Sequence, residues 1–148
     1  MISKDTKKEL NFLKKMFSMP PQTTLGIQKI LKIDPLTGEA EVKYRARKNM
    51  CHSGNIVQGG FITGWLDAVM ALACMGRVGA NTLVLSLEIK TTFIRKVLPK
   101  PVIVSGKVIK AGKSIAFLEG EIIDEENNIL AKGNQTVKLI SNFYNRNL

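Results

Sequence analysis

Residues 59–76 read GGFITGWLDAVMALACMG, and the fold turns on how this stretch is interpreted. Phe61, Trp65, Val69, Leu72 and Ala73 fall at the spacing of one helical face, and Ile62, Leu66, Met70 and Met75 make the remaining faces apolar as well. The pattern predicts a helix buried nearly all round, the central element of its domain. Its apolar run covers 18 residues and carries Asp67 in the middle. That is short of the roughly 20 residues a bilayer demands, so the segment reads as a core helix rather than a membrane span.

Outward from this helix the period changes. Downstream it becomes two: Leu83, Leu85, Leu87 and Ile89, then Phe93; Val102, Val104 and Val108; Ile115, Phe117 and, out of phase, Ile122; and Ile129 through Leu139. Turn-forming residues at 110–113 and 124–128 separate these runs. Upstream, Leu25–Ile33 alternates and Ala40–Ala46 follows, with Asp34-Pro35-Leu36-Thr37-Gly38 between them as the turn of a hairpin. Residues 47–58 have no period. Near the start, Leu10, Leu13 and Phe17 recur at helical spacing among lysines from Asp5 to about Ser18, and Pro20-Pro21 ends the run.

The order is therefore helix, two strands, long helix, four strands. An antiparallel sheet wrapped around one long central helix satisfies it most simply, an α+β fold. A doubly wound fold needs helices between the last strands, where the turns leave no room. Residues 1–21 read as an N-terminal helix and lead-in, and 22–148 as the body of a single domain.

Composition narrows the function classes. With 45% hydrophobic and 23% charged residues the chain has the balance of a folding protein. A net charge of +10 favours an anionic partner: nucleic acid, an acidic membrane or a phosphorylated small molecule. Nucleic acid is disfavoured, because aromatics are 6% of the chain and do not interleave with the basic residues. Two cysteines, Cys51 and Cys74, and one histidine, His52, assemble neither a disulfide framework nor a zinc set, so no metal is expected. The N-terminus mixes lysines with apolar residues and lacks a signal-peptide pattern, so a cytoplasmic protein is expected, with no membrane partner.

Chemistry concentrates at residues 49–68. Gly59-Gly60 at the mouth of the helix expose backbone N–H groups, which with the helix dipole suit negative charge or a polarised carbonyl. Asp67 is the only charged residue between Lys48 and Arg77. A carboxylate in so apolar a helix is either a hydrogen-bonded buttress or a group that does chemistry.

This passage resembles the PaaI-type branch of the hotdog-fold thioesterases, in which a loop of the form Asn-Pro-x-Gly-x-x-His-Gly-Gly leads into the central helix and an acid follows nine residues after the histidine. Gln58 stands at the histidine position, Gly59-Gly60 match the glycine pair and Asp67 falls nine residues on. The similarity continues through Ser86–Val97 and Gly106–Lys113, and covers roughly residues 22 to 140. It implies a hotdog fold and hydrolysis of a medium-chain or aromatic acyl-CoA by a homodimer or homotetramer, without a cofactor beyond the coenzyme A of the substrate.

By the same resemblance the Gly59 N–H stabilises the oxyanion, and Asp67 is nucleophile or general base, reaching across a dimer interface. Ser86 holds the water or the carboxylate, while Gln58 and His52 orient the loop and the thioester. Gly60, Lys90, Arg95, Lys96, Lys110 and Lys113 are the candidates for holding coenzyme A. Two departures stand out: Gln58 cannot exchange protons near neutral pH, and His52 takes a place where asparagine is common. A non-catalytic acyl-CoA-binding module is the alternative, and it would not need Asp67. A dehydratase would call for a catalytic histidine beside the acid.

Overall fold

The computed structural model describes residues 3–144. Helix α1 (Lys4–Met16) starts where the Ser3 hydroxyl accepts from the Thr6 N–H, an N-cap with Asp5 in the first turn. Strands β1 (Ile27–Asp34) and β2 (Glu39–Arg45) form the first hairpin. Residues 47–58, aperiodic in sequence, fold as a 3-10 turn (Lys48–Met50) and a miniature hairpin of β3 (Cys51–His52) and β4 (Ile56–Val57). Its tip places Gly54 and Asn55 at φ of 65° and 62°, the left-handed region that glycine and asparagine tolerate best. Helix α2 (Gly59–Val78) follows, then β5 (Leu83–Phe93), β6 (Pro101–Ala111), β7 (Ile115–Ile123) and β8 (Ile129–Ile140).

The large sheet has six antiparallel strands in the order β1-β2-β6-β7-β8-β5, with α2 lying across one face. The α+β architecture expected from the sequence is what forms. At 20 residues α2 is longer than its apolar run suggested, so length alone does not exclude a bilayer; its core-facing side chains instead pack on the sheet. Nor is it buried nearly all round. Ile62, Trp65, Leu66, Val69, Met70, Leu72 and Ala73 are buried, whereas Phe61, Thr63, Gly64, Asp67, Ala68 and Ala71 form a half-exposed stripe.

Bulges overturn the strand phases read from sequence. Two shifts in β1 turn Ile27, Ile30 and Ile33 toward the core and leave Leu31 43% exposed, where simple alternation had put Leu31 with Ile33. A bulge between Ser86 and Glu88 turns Leu85 and Leu87 outward, so Ser86 and Ile89 share the face of α2. In β7 the inward row is Ala116, Leu118, Gly120 and Ile122, and Phe117 is exposed. Ile122, out of phase with Phe117, was the residue on the core side.

Close approach of α2 to the sheet depends on a row of small residues. Ala40 pairs with Gly106, Gly106 with Gly120, and Gly120 with Gly133 across β2, β6, β7 and β8. A Cβ at Gly106 would stand 2.7 Å from the Val69 carbonyl oxygen and 2.8 Å from Met70 Cα; one at Gly120 would meet the Ser105 carbonyl at 2.7 Å. At Gly106 the obstruction is helix backbone and cannot rotate away. Beside this crossing, Trp65 donates from Nε1 to the Leu25 carbonyl at 2.8 Å and stacks on Tyr44 at 6.0 Å between centroids. The Tyr44 hydroxyl, which burial makes far harder to ionise, donates to Gln22 Oε1 at 2.8 Å.

Gly106→Ala should therefore cost about 3 kcal/mol, at the upper end for overpacking, against about 1 kcal/mol for Gly54→Ala, where the strain is only of backbone conformation. Urea unfolding of the two variants checks this; equal losses would mean that the helix does not sit as close as described.

Candidate active site

Asp67 enters the helix from an apolar sequence and meets neutral donors from two strands. The Ser86 hydroxyl on β5 donates to Asp67 Oδ1 at 2.6 Å, and the amide Nε2 of Gln135 on β8 donates to the same oxygen. Gln135 Nε2 also donates to Ser86 Oγ at 2.7 Å, closing a three-membered ring of bonds. Among the described residues no cation pairs with Asp67 and no group donates to its Oδ2. The carboxylate is thus held by one oxygen and offers the other.

Gln135 was not anticipated. It is 3% exposed, on the inward row of β8 otherwise made of Ala131, Gly133, Val137 and Leu139. That alternation was legible, and a single polar residue on its apolar phase was the signal for it.

The other end of the site is the start of α2. Gln58 is the N-cap: its Oε1 accepts from the Gly60 N–H at 2.9 Å, and its carbonyl accepts from Phe61 N–H at 3.0 Å. This leaves the Gly59 N–H as the amide of the first turn with no acceptor among the described residues. Gly59 lies against the Phe93 ring, and a Cβ there would stand 3.0 Å from Cζ. Gly60 lies one residue on, its N–H taken by Gln58.

One helical turn beyond Gly59, Thr63 shares a 3.0 Å hydrogen bond with Thr91 of β5, and Asp67 lies one turn further. Gly59, Thr63 and Asp67 make a polar seam between α2 and β5. Eight residues at about 1.5 Å each set Gly59 and Asp67 about 12 Å apart along the axis, too far for both to act on one carbonyl.

A cavity of about 370 Å³ opens beside Gly59, walled by Ile56, Val57, Ile62, Phe93 and Val97, with His52, Arg95 and Lys96 also lining it. His52 is exposed on β3 and makes no hydrogen bond with Gln58. Arg95 donates to the Ile129 carbonyl at 2.6 Å. The structure does not bring all the basic candidates together. Lys90 lines a different cavity with Ile109 and Phe117, on the outer side of the sheet, and Lys110 and Lys113 are exposed around the β6–β7 turn.

Solved structures share this arrangement of helix and sheet. The PaaI protein of the E. coli phenylacetic acid degradation operon superposes with a TM-score of 0.81 at 18% identity, over 95% of this chain and 97% of its own. The thioesterase HI1161 of Haemophilus influenzae gives 0.79 at 20% identity, over 90% and 91%. In sequence, a Thermoplasma volcanium protein named "Putative esterase TV1331" is 30% identical over 123 residues, 81% of this chain and 88% of that protein. Residues 54–131, which include the Gly59 helix start, Asp67 and Ser86, match the model of the thioesterase superfamily. The chain belongs to that superfamily, and its fold is the hotdog fold of the PaaI-type members.

Replacing Gln58 by alanine removes the helix cap and should cost about 1 kcal/mol of stability, measured by thermal or urea unfolding. A loss below a few tenths would mean that the Gly60 amide is satisfied without it.

Proposed function

We propose that this protein hydrolyses the thioester of a medium-chain or aromatic acyl-CoA, with Asp67 of one protomer and the Gly59 N–H of another acting on the same carbonyl. The observation that carries the reading is Asp67 itself: a half-buried carboxylate held at Oδ1 by two neutral donors, with Oδ2 unengaged among the described residues. The aromatic option is taken from the PaaI relative, which comes from a phenylacetic acid degradation operon.

The distance between Gly59 and Asp67 calls for a second copy. A two-fold pair with its α2 helices antiparallel would set Gly59 of one protomer opposite Asp67 of the other, with Thr63, four residues from each, at the axis. Strand β5 is an unpaired sheet edge, and Leu85, Leu87, Phe93 and Ile94 are 43%, 60%, 54% and 46% exposed on or beside it. Such an edge is one that soluble proteins cover.

In the reaction, Asp67 Oδ2 either attacks the carbonyl carbon or takes a proton from an attacking water. The carbonyl electrons move to oxygen, where the Gly59 N–H and the helix dipole stabilise them. Collapse breaks the C–S bond and releases the coenzyme A thiolate; where Asp67 attacked, water then hydrolyses the acyl–Asp67 anhydride to free acid and carboxylate, and where water attacked, the acid leaves directly and the proton held by Asp67 passes to the thiolate. A thiol with a reference pKa of about 8.5 leaves without a general acid, so Gln58 in place of histidine is compatible with turnover. Arg95 and Lys96, at the mouth of the Gly59 cavity, are suited to the coenzyme's phosphates.

Free-thiol release from short, medium and aromatic acyl-CoAs tests this. The wild type should turn over part of the panel and Asp67→Asn should lose at least about a hundredfold. If both bind acyl-CoA and neither hydrolyses it, the chain is a binding module.

The shared site has its own test. Gly59→Pro removes the N–H at a position whose backbone suits proline, the exposed Phe93 ring giving way to its Cβ, and should be inactive alone. Mixed, unfolded and refolded with Asp67→Asn, it should recover roughly a quarter of wild-type activity, from the one intact site of each mixed pair. No recovery would place the two groups in the same protomer.

A further inference from the structure

We infer that Gln135 is a positioning residue for Asp67: it fixes the carboxylate and Ser86 in one arrangement and so assigns Oδ2 as the oxygen that attacks or activates water. The inference rests on the thioesterase reading above and adds a residue and an atom to it.

Gln135 occupies a core position. Its neighbours in register are Ile89 on β5 and Leu118 on β7, and its row on β8 is otherwise apolar. A leucine or methionine would fill the space with no polar atom to satisfy. The amide is instead buried at 3% exposure, and its Oε1 has no hydrogen-bond partner among the described residues. A stranded buried acceptor is unfavourable, so the orientation of the amide is being held by its other end.

The chemistry of the partners fixes that orientation. A carboxylate oxygen only accepts, so the amide atom facing Asp67 Oδ1 is Nε2. The second N–H goes to Ser86 Oγ, whose single proton goes to Asp67 Oδ1. Turning the amide over would set Oε1 against the carboxylate oxygen. Gln135 therefore stays as it is for as long as Asp67 is a carboxylate, and its carbonyl is left without a donor.

Two roles follow. Oδ1 is saturated, so Oδ2 faces the substrate. Ser86 gives its proton to an acceptor that is itself fully engaged, so it holds Asp67 rather than acting as a nucleophile.

The test is steady-state hydrolysis of the best acyl-CoA of the panel by Gln135→Leu and Gln135→Glu, with melting temperatures. Gln135→Leu should lose at least about tenfold in kcat, as expected when a reacting group loses its alignment, with KM within about threefold because uniform binding is untouched. Its melting temperature should change little, since the two donated bonds lost are offset by removal of the stranded Oε1 and by an apolar side chain in an apolar row. A purely structural role predicts the reverse, a lower melting temperature with kcat retained.

Gln135→Glu separates the two further. While protonated, its carboxyl donates one hydrogen bond and keeps activity. As pH rises it ionises against Asp67, so activity falls on the alkaline side where the wild type's does not. A kcat for Gln135→Leu within threefold of wild type, or a Gln135→Glu profile parallel to wild type, overturns the assignment. If the wild type hydrolyses nothing, the thioesterase reading fails, and the clamp is judged by exchange of the Gln135 side-chain amide protons. Slow exchange that becomes fast in Asp67→Ala supports it, and no difference between the two proteins rejects it.

Discussion

Main chain rests on main chain where α2 crosses the sheet. At Gly106 there is no space for even a methyl group between the strand and the Val69–Met70 backbone, and Gly120 and Gly133 continue that approach onto Met70 and Leu66. The depth at which the helix lies decides what else is possible. It carries Asp67 to within a hydrogen bond of side chains on β5 and β8, two strands that have no contact with it in sequence. With ordinary side chains in the row, the helix would be held further out and short polar groups such as Ser86 could not span the gap. Packing and chemistry are in this sense one constraint: the glycines that let the helix down are the reason a serine and a glutamine suffice to hold the carboxylate.

The sequence was informative where one rule governs one segment. The apolar density of residues 59–76, the paired glycines before it and the single carboxylate within it are local signals, and each marks something the structure contains. Strand phase was less legible. Alternation assigns a face only while the register is unbroken, and one bulge between Ser86 and Glu88 sends Leu85 and Leu87 outward. A bulge is a relation between two strands, so β5 alone does not announce it. The 47–58 segment had no period because its structure, a 3-10 turn and a two-residue hairpin, is too short to have one.

The site divides the same way. Asp67 and Gly59 were marked by residue type and spacing and Ser86 by the family resemblance; Gln135, a polar residue on the apolar phase of its strand, was passed over between Asn134 and Thr136, which face the other way. Gln58 was expected to orient the loop and the thioester; in the structure its side-chain oxygen caps the helix at the Gly60 amide. The basic candidates were gathered by charge alone. Charge does not report direction, so Arg95 and Lys96 border the Gly59 cavity while Lys90 faces away from it.

The strand order also sets a schedule for a chain made from its N-terminus. Strand β2 lies between β1 and β6 and β5 pairs with β8, so a nascent chain that stops short of Pro101 has made α2 but has only the β1–β2 ribbon and an unpaired β5 to cover it. The local meander β6-β7-β8 closes with short loops, whereas joining β2 to β6 and β5 to β8 spans dozens of residues and must wait for it. The last strand synthesised is the one that both β7 and β5 need. An apolar helix made before four of the six strands therefore stays incompletely covered until β8 has been translated, and that interval is when the protein most needs protection from association with its neighbours.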